Sequence, residues 1–377
     1  MDRNLNLLMV AVGVVGANSL VLAPVSPAVG AALDRTPAEI MQAAAAFGLA
    51  TAASALLLAP LIDRIGAARM LRLALIGLAT ALAASGLAGS FATLAAAQAL
   101  AGLASGIALP AAYALAADLA PPGRAAQALG RVITGWTLAL VFGVTLSAVL
   151  ADLVHWRAVF ALTAATAAIL ALAIAGLPNH GGQPVTAPWT ALPLPGVARA
   201  LAAQLALMLS FYGTYSFLGA QLDAIGQGTL EAALPVLAYG IAFGLSGRLD
   251  GWLDRRGYGG AAPWVYTADA AILLLIAVLS GTLWGLAIAF ALWGVTKHLG
   301  LNLMVARVTA AGGARKGAVL GLNSAVTYLA VVGGTVGFRP LFEAGGLAAC
   351  AALGAVLCAG LAAEALIRRG SPHADPV

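Results

Sequence analysis

The feature that most constrains the fold is a series of long apolar runs separated by short polar segments. A helix needs about 20 apolar residues to cross roughly 30 Å of hydrocarbon. Such runs fill nearly all of the 377 residues, of which 62% are hydrophobic and 9% are charged. Because soluble domains average about 25% charged residues, this pattern predicts an all-α membrane protein and not a soluble domain.

The chain has room for about twelve spans with short loops. A proline-rich segment follows the sixth span and favours a nonhelical cytoplasmic linker at residues 178–198. The linker divides the chain into two six-helix bundles, residues 1–177 and 199–377. We predict spans at residues 5–30, 39–60, 70–89, 91–118, 127–152, 157–177, 199–222, 229–252, 261–281, 283–308, 317–339 and 345–367.

Lysine and arginine are distributed unevenly between the two sides of these spans. If the N-terminus is cytoplasmic, fifteen of the nineteen basic residues fall on the cytoplasmic side. The opposite side receives Arg35, Arg157 and Arg339, and Lys297 lies within a span. By the positive-inside rule, both termini are expected in the cytoplasm, most naturally at a bacterial inner membrane. Basic residues scattered in this way mark topology and give no stripe for a nucleic acid.

A short repeat supports two related halves. Asp63-Arg64-Ile65-Gly66 follows the second span, and Asp254-Arg255-Arg256-Gly257 follows the eighth. Parallel repeats of this kind are typical of transporters in which two bundles rock about a site near the bilayer midplane.

The first of these loops resembles a signature of the major facilitator superfamily, particularly its efflux branch of drug/proton antiporters and sugar-efflux permeases. Leu61, Asp63, Arg64 and Gly66 match the pattern, whereas Ala67 stands where the family has arginine. The resemblance covers the whole chain and implies the twelve-helix major facilitator fold. It also implies a conformational gate, in which the acid contacts a helix N-terminus in the other half. The gate residues expected from it are Asp63, Arg64, Gly66, Asp118, Asp254 and Arg255.

Two further spans match the family in part. Gly135, Gly143 and the segment 156–160 resemble the antiporter pattern of the fifth helix, but Thr145 and Ser147 replace the usual proline and glycine. In the fourth span, Gln98 replaces an arginine that has a proton-relay role in the family. The resemblance therefore implies membership of the superfamily and only suggests antiport.

The resemblance also implies that the first, fourth, seventh and tenth helices line a central cavity. Polar residues near their midpoints are therefore candidates for substrate binding, although contacts between helices explain them too. The eleventh helix adds a further candidate in its wall. The candidates on these helices are Asn18, Gln98, Tyr113, Tyr212, Tyr215 and Asn323.

Lys297 and His298 lie near the middle of the tenth span. A lysine there costs at least ~2.5–3.5 kcal/mol unless it meets water or a counter-charge. Adjacent helical residues point about 100° apart, so both side chains cannot face the cavity squarely. Lys297 is therefore the first candidate for substrate binding or proton coupling, with a structural ion pair as the alternative. Asp269, in the ninth span, is either a proton site or a structural partner.

Together these features predict a secondary active transporter that moves a small molecule by alternating access. We expect proton-coupled efflux of an anionic, zwitterionic or neutral solute, because Lys297 is the formal charge placed centrally. Multidrug/proton antiport of cations and a transport-inactive sensor or assembly factor are the alternatives. The sequence contains no metalloprotease, nucleophile-elbow or phosphate-loop motif, so we expect no enzyme, cofactor or metal site. We expect a monomer in the lipid bilayer, with Cys350 and Cys358 as packing residues.

Overall fold

The structure is a computed structural model that describes residues 2–120, 125–185, 187–228, 230–313 and 316–369. Its described residues form helices joined by short connections, and none of them lies in a β-strand. We number the membrane helices in chain order. They are α1 (Asp2–Leu33), α2 (Pro37–Leu57), α3 (Ala67–Gly86), α4 (Phe91–Asp118), α5 (Ala125–Ile133, Gly135–Leu138, Ala139–Val144 and Thr145–Leu153), α6 (Trp156–Ala173), α7 (Val197–Tyr215 and Leu218–Ala224), α8 (Ala233–Leu245), α9 (Asp250–Leu279), α10 (Leu283–Gly312), α11 (Lys316–Val332 and Gly333–Gly337) and α12 (Arg339–Arg369).

Eleven of the helices in the described ranges are long and apolar enough to cross a membrane. The remaining helix, α8, has 13 residues and continues as a 3₁₀ turn at Ser246–Leu249. The predicted eighth span, residues 229–252, was therefore too long. Gly244, Ser246 and Gly247 all have weak helix propensity, which explains why the α-helix ends at this point. The all-helical, two-bundle membrane architecture is otherwise the predicted one.

Local sequence signals explain where several helices begin. Thr36 caps α2, since its side chain accepts from the backbone N–H of Glu39 and the Glu39 carboxylate accepts from the backbone N–H of Thr36. Ser90 caps α4 with the same reciprocal geometry, and the Thr282 hydroxyl caps α10. Each cap satisfies backbone donors that the first helical turn leaves unpaired.

The repeated loops have a similar backbone conformation in both halves, with a positive φ at the glycine. Gly66 has φ 98° and ψ 144°, and Gly257 has φ 63° and ψ 176°. A short helical segment precedes each glycine, and a long membrane helix follows it. Positive φ favours glycine because it has no Cβ. At Gly66 a Cβ would also collide with the Asn179 side chain in the linker.

Small residues let α2 and α4 pack closely inside the N-terminal bundle. A Cβ at Gly106 would lie 2.5 Å from the Thr51 carbonyl oxygen, and one at Gly102 would collide with the Phe47 carbonyl. The Ser54 hydroxyl donates to the Leu103 carbonyl across the same contact, at 2.6 Å. Close backbone approach of this kind is a common way for helices to associate in lipid.

The two bundles meet where α1 packs on α7, α2 on α11 and α5 on α8. Tyr215 of α7 donates to the Leu20 carbonyl of α1 at 3.3 Å. Arg339 lies 3.9 Å from Glu39, at the end of the bundles where α2 begins. We call this end the α1–α2 face, and the end that carries the linker between α6 and α7 the linker face. These bonds hold the bundles together toward the α1–α2 face.

Candidate functional site

Lys297 of α10 and Asp269 of α9 form an ion pair inside the C-terminal bundle. Lys297 Nζ lies 2.8 Å from Asp269 Oδ2, and each side chain is 1% exposed. The ammonium group also donates to the Ser210 hydroxyl at 2.8 Å and to the Leu207 carbonyl at 3.4 Å, both on α7. Removing two charges from water costs several kcal/mol per ion, so hydrogen bonds around the pair are needed to offset it.

The Asp269 carboxylate has its own donors. Thr296 donates to Oδ1 at 2.8 Å, and the Cys358 thiol of α12 donates to Oδ2 at 3.1 Å. The Trp293 ring lies 5.4 Å from Lys297 Nζ, within the range of a cation–π contact. Four helices, α7, α9, α10 and α12, thus supply groups to one buried charged network.

The position of Lys297 favours the alternative in which it is a member of an ion pair. The amine points into the bundle and has a carboxylate partner, whereas a substrate-binding amine was expected to face the cavity. The sequence identified both Lys297 and Asp269 but not their pairing, because their contact depends on how α9 and α10 pack. Cys358, expected to be a packing residue, is a further member of the network. Their roles in transport stay predictions.

His298 points elsewhere, as the geometry of adjacent helical residues predicts. Its Nε2 lies 2.9 Å from Asp250 Oδ1, and its ring meets Phe243 edge-on at 5.0 Å. Asn302 donates to the same Asp250 oxygen at 2.9 Å. The His298 side chain is 15% exposed and that of Asp250 is 47% exposed. This group therefore joins α10 to the start of α9 at a more open position than Lys297.

The N-terminal bundle holds a neutral network on the corresponding helices. Asn18 of α1 donates to Gln98 Oε1 of α4 at 3.2 Å, and Gln98 Nε2 donates to the Ser85 hydroxyl of α3 at 3.1 Å. All three side chains are buried. Helices α1, α4 and α3 correspond in order to α7, α10 and α9, which hold the charged network.

The two networks occupy the same helix face at different depths. Gln98 follows the α4 cap, Ser90, by eight residues, and Lys297 follows the α10 cap, Thr282, by fifteen. The seven-residue difference is about two helical turns, or roughly 10 Å. The buried network of the C-terminal bundle is therefore charged, whereas that of the N-terminal bundle consists of neutral groups.

The predicted tyrosines fall into two groups. Tyr113 of α4 accepts from the Trp136 indole N–H of α5 at 3.0 Å, within the N-terminal bundle. Tyr215 and its neighbour Tyr212 are buried on α7, and Tyr215 bonds across the bundles to Leu20. Tyr113 and Tyr215 therefore already have hydrogen-bond partners in this conformation.

Asn323 lies on α11 beside a hydrogen bond that links α7 and α11. Gln204 Nε2 donates to the Thr327 hydroxyl at 2.8 Å. Asn323 Oδ1 and Gln204 Oε1 are buried and have no hydrogen-bond donor among the described residues. Buried acceptors of this kind are costly to leave unpaired, and neither oxygen is exposed in this conformation.

The loop predicted to form the gate contacts the linker. The backbone carbonyls of Asp63 and Arg64 accept from the N–H groups of Gln183 and Gly182 at 3.0 and 2.9 Å. This contact places the α2–α3 loop and the linker on the same face. The predicted contact of the Asp63 carboxylate with a helix of the other half stays a prediction.

The other gate residues occupy the ends of helices. Asp118 is exposed where α4 ends, and Arg255 is exposed on the segment before Gly257. The Asp254 side chain lies outside the described residues. The gate roles of Asp118, Asp254 and Arg255 therefore stay predictions.

A second ion-pair cluster lies within the C-terminal bundle. Arg307 of α10 forms a bidentate pair with Glu364 of α12, with one N–O distance of 2.8 Å. Arg199 of α7 lies 3.1 Å from the same carboxylate, and Arg307 donates to Tyr258 at 2.9 Å. The arginines that pair with Glu364 come from helices far away in the chain, and no local pattern identifies them.

Residues 8–335 match the sequence profile of the Major Facilitator Superfamily. The chain belongs to the Major Facilitator Superfamily. Secondary transport of small solutes is typical of this family, and membership accounts for the two related bundles.

A relative from Bacillus subtilis (strain 168), the uncharacterized MFS-type transporter YwfA, is 27% identical over 238 residues. The alignment covers 59% of this chain and 58% of that protein, so the chain matches somewhat more than half of the relative's length. The crystal structure of the human organic anion transporter MFSD10 (TETRAN) superposes with a TM-score of 0.71. It covers 97% of this chain and 99% of that one at 18% identity, which shows a shared fold.

Proposed function

We propose that this chain is a proton-coupled exporter of a small anionic, zwitterionic or neutral solute. The buried Lys297–Asp269 pair is the observation that carries the proposal. Intramembrane ionisable residues are rare and costly, and they commonly mark proton or substrate pathways. In this proposal Asp269 is the proton-coupling site. Its carboxylate pairs with Lys297 in one state of the cycle and binds a proton in another.

The network is connected to the surface on which the bundles move. Ser210 and the Leu207 carbonyl of α7 hold Lys297, and Tyr215 of α7 bonds to Leu20 of α1. Ser210 and Tyr215 are five residues apart, or about 7.5 Å along the helix. A shift of α7 against α1 therefore changes the surroundings of Lys297. This connection lets protonation of Asp269 bias the direction in which the transporter opens.

The available polar groups determine the solute class that we propose. The N-terminal network around Gln98 is neutral, and the unpaired acceptors of Gln204 and Asn323 suit hydroxyl or N–H donors. The Asp269 carboxylate is already held by Lys297, so a permanent cation lacks a free counter-charge there. The organic anions in the name of the human structural relative agree with this class. At 18% identity that relative supports the fold, and the class rests on the residues.

Export, rather than uptake, follows from antiport logic and from the efflux-type segments of α5. In antiport, the protein binds either a proton at Asp269 or the solute, but not both at once.

The chain is then expected in the bacterial inner membrane as a monomer with both termini cytoplasmic. Single cysteines at Gly123 and Asp34 test the orientation, since Gly123 should react from the cytoplasm and Asp34 from outside. Labelling of Gly123 from outside overturns the orientation. The native cysteines, Cys350 and Cys358, are buried and give little background.

The test is proton movement in proteoliposomes that contain pyranine and have an acidic lumen. Organic acids, amino acids, sugars and the cation tetraphenylphosphonium are added outside one at a time. An antiported solute drives protons out and makes the lumen more alkaline, whereas a symported solute makes it more acidic. We expect alkalinisation with a compound of the first three classes and none with tetraphenylphosphonium.

The matched variant is Lys297→Met/Asp269→Leu, which removes both charges and keeps similar shapes. It should abolish proton movement, and Arg307→Met/Glu364→Leu serves as a control in the second ion-pair cluster. Retained coupling in the first double variant overturns the role of the pair. Proton movement with the permanent cation supports the multidrug alternative, and no flux of any compound supports a transport-inactive protein.

A further inference from the structure

Two membrane helices contain a π-helical segment. One lies in α5 at Ala139–Val144, and the other lies in α11 at Gly333–Gly337. A π segment accommodates an extra residue in the helix, is rare, and often occurs at functional sites. α5 and α11 are the fifth helices of their bundles, so the two segments occupy corresponding elements of the repeat.

The surroundings of the two segments also correspond. The α5 segment packs on α1 of its own bundle and on α8 of the other bundle. The α11 segment packs on α7 of its own bundle and on α2 of the other. α1 and α7 are the first helices of their halves, and α2 and α8 are the second. Each π segment thus lies where its bundle meets the other.

Glycine gives both segments a close approach to the first helix. A Cβ at Gly143 would lie 2.7 Å from the Ala17 Cβ of α1. A Cβ at Gly334 would lie 2.7 Å from the Gly213 nitrogen of α7. Neither contact has room for a methyl group, so the π segments fit closely against α1 and α7 because these positions lack a side chain.

Threonine hydroxyls bind carbonyl groups around each segment. Thr145 donates to the Leu140 carbonyl, five residues earlier, at 3.3 Å. Thr335 donates to the Val331 carbonyl at 2.7 Å. Backbone groups released from the α-helical pattern need partners within a membrane. Each segment therefore has a threonine hydroxyl bonded to a carbonyl within or beside it.

Two open grooves lie beside the α5 segment. One, of about 290 Å³, runs along the contact of α5 with α8 and is lined by Thr137, Val141, Gly240 and Gly244, among others. On the other flank, a groove of about 210 Å³ is lined by α1, α5 and α6. Both grooves include Phe142, whose side chain is largely exposed, so the α5 segment is loosely covered on that side.

We propose that the two π segments are paired hinges of the transport cycle, with Gly143 and Gly334 as the positions that permit their motion. The inference rests on the proposed transport function. When the extra residue of a π segment moves along the helix by one position, the residue that it passes shifts by about 1.5 Å and turns by about 100°. Because each segment contacts both bundles, such a step changes the contact of α5 with α8 and of α11 with α2. The bundles can then rock while α5 and α11 stay continuous.

Hydrogen exchange of the full chain in nanodiscs gives the first test. Amides of 139–144 and 333–337 should exchange about tenfold faster than those in the middle of α2 and α4, which have regular α-helical bonding. Exchange at both segments as slow as in α2 and α4 overturns the proposal.

The second test separates a hinge from ordinary packing. Ala17→Gly/Gly143→Ala moves one methyl group from α1 to α5 and keeps the volume of the contact. Spin labels at Asp34→Cys and Asp223→Cys report the separation of the bundles at the α1–α2 face. We expect two distances in the wild type and a single one in the swapped variant. Two distances in the swapped variant would show that Gly143 only lets α5 pack against α1, and would overturn its role in a hinge.

Gly334→Ala should also give a single distance, whereas two controls should not. Gly77→Ala and Gly300→Ala add a methyl group with ordinary contacts of 3.6 Å, and both should keep the wild-type distances. These readouts need no solute, so they stand apart from the proton assay. If the π segments exchange fast and the swapped variant gives one distance, but the protein moves no protons, the hinges are supported and proton-coupled export is contradicted. If the protein couples to protons but both π segments exchange slowly, proton-coupled export is supported and the hinges are contradicted.

Discussion

Removal of one charge from the Lys297–Asp269 pair should destabilise the protein far more than removal of both. Lys297→Met leaves Asp269 buried with Thr296 and Cys358 as donors, and Asp269→Leu leaves Lys297 with Ser210 as an acceptor. A stranded buried charge typically costs about 3–5 kcal/mol, whereas replacement of a whole pair by apolar groups is often neutral.

The partners of the pair explain why the double variant should remain stable. Ser210 also donates to the Leu207 carbonyl at 2.7 Å, and Thr296 also donates to the Trp293 carbonyl at 3.2 Å. Both hydroxyls therefore keep a hydrogen bond after Lys297→Met/Asp269→Leu. We expect this double variant to lie within about 1 kcal/mol of the wild type.

The assay is unfolding of the purified protein in detergent, followed by tryptophan fluorescence. Equal stability of the single and double variants would falsify the argument that the two charges depend on each other. A double variant as unstable as the worse single variant would mean that apolar groups do not fit the site.

Three further outcomes follow from other contacts. Gln98→Leu leaves Asn18 without its buried partner and should lower the unfolding free energy by about 1–3 kcal/mol in the same assay. Arg339→Gln removes a partly exposed pair with Glu39 and should change that free energy by no more than about 1 kcal/mol. Asp63→Asn should favour inward-open states and slow transport with little loss of expression, as cysteine accessibility and flux would show. Unchanged accessibility and flux in that variant would remove the gate role.

Much of the fold follows from local sequence patterns. Apolar runs of spanning length, the proline-rich linker and the Asp-Arg-x-Gly repeat predicted two bundles of membrane helices, and caps such as Thr36 and Ser90 set helix starts. The exception was α8, where weak helix formers end the α-helix early. The π segments had no sequence signal beyond scattered glycines, because their formation depends on close contact with neighbouring helices.

The sequence by itself placed Lys297, His298 and Asp269 in the membrane, since charged residues are conspicuous within apolar runs. It also established that Lys297 and His298 point in different directions, because helix geometry requires it. Only the tertiary structure showed that Lys297 pairs with Asp269 and that Cys358, eighty-nine residues beyond Asp269, joins them. A sequence fixes the direction of a side chain around its own helix, whereas its partner depends on the rotation and depth at which four helices pack. A difference of one residue in that packing turns a side chain by about 100° and separates the two charges.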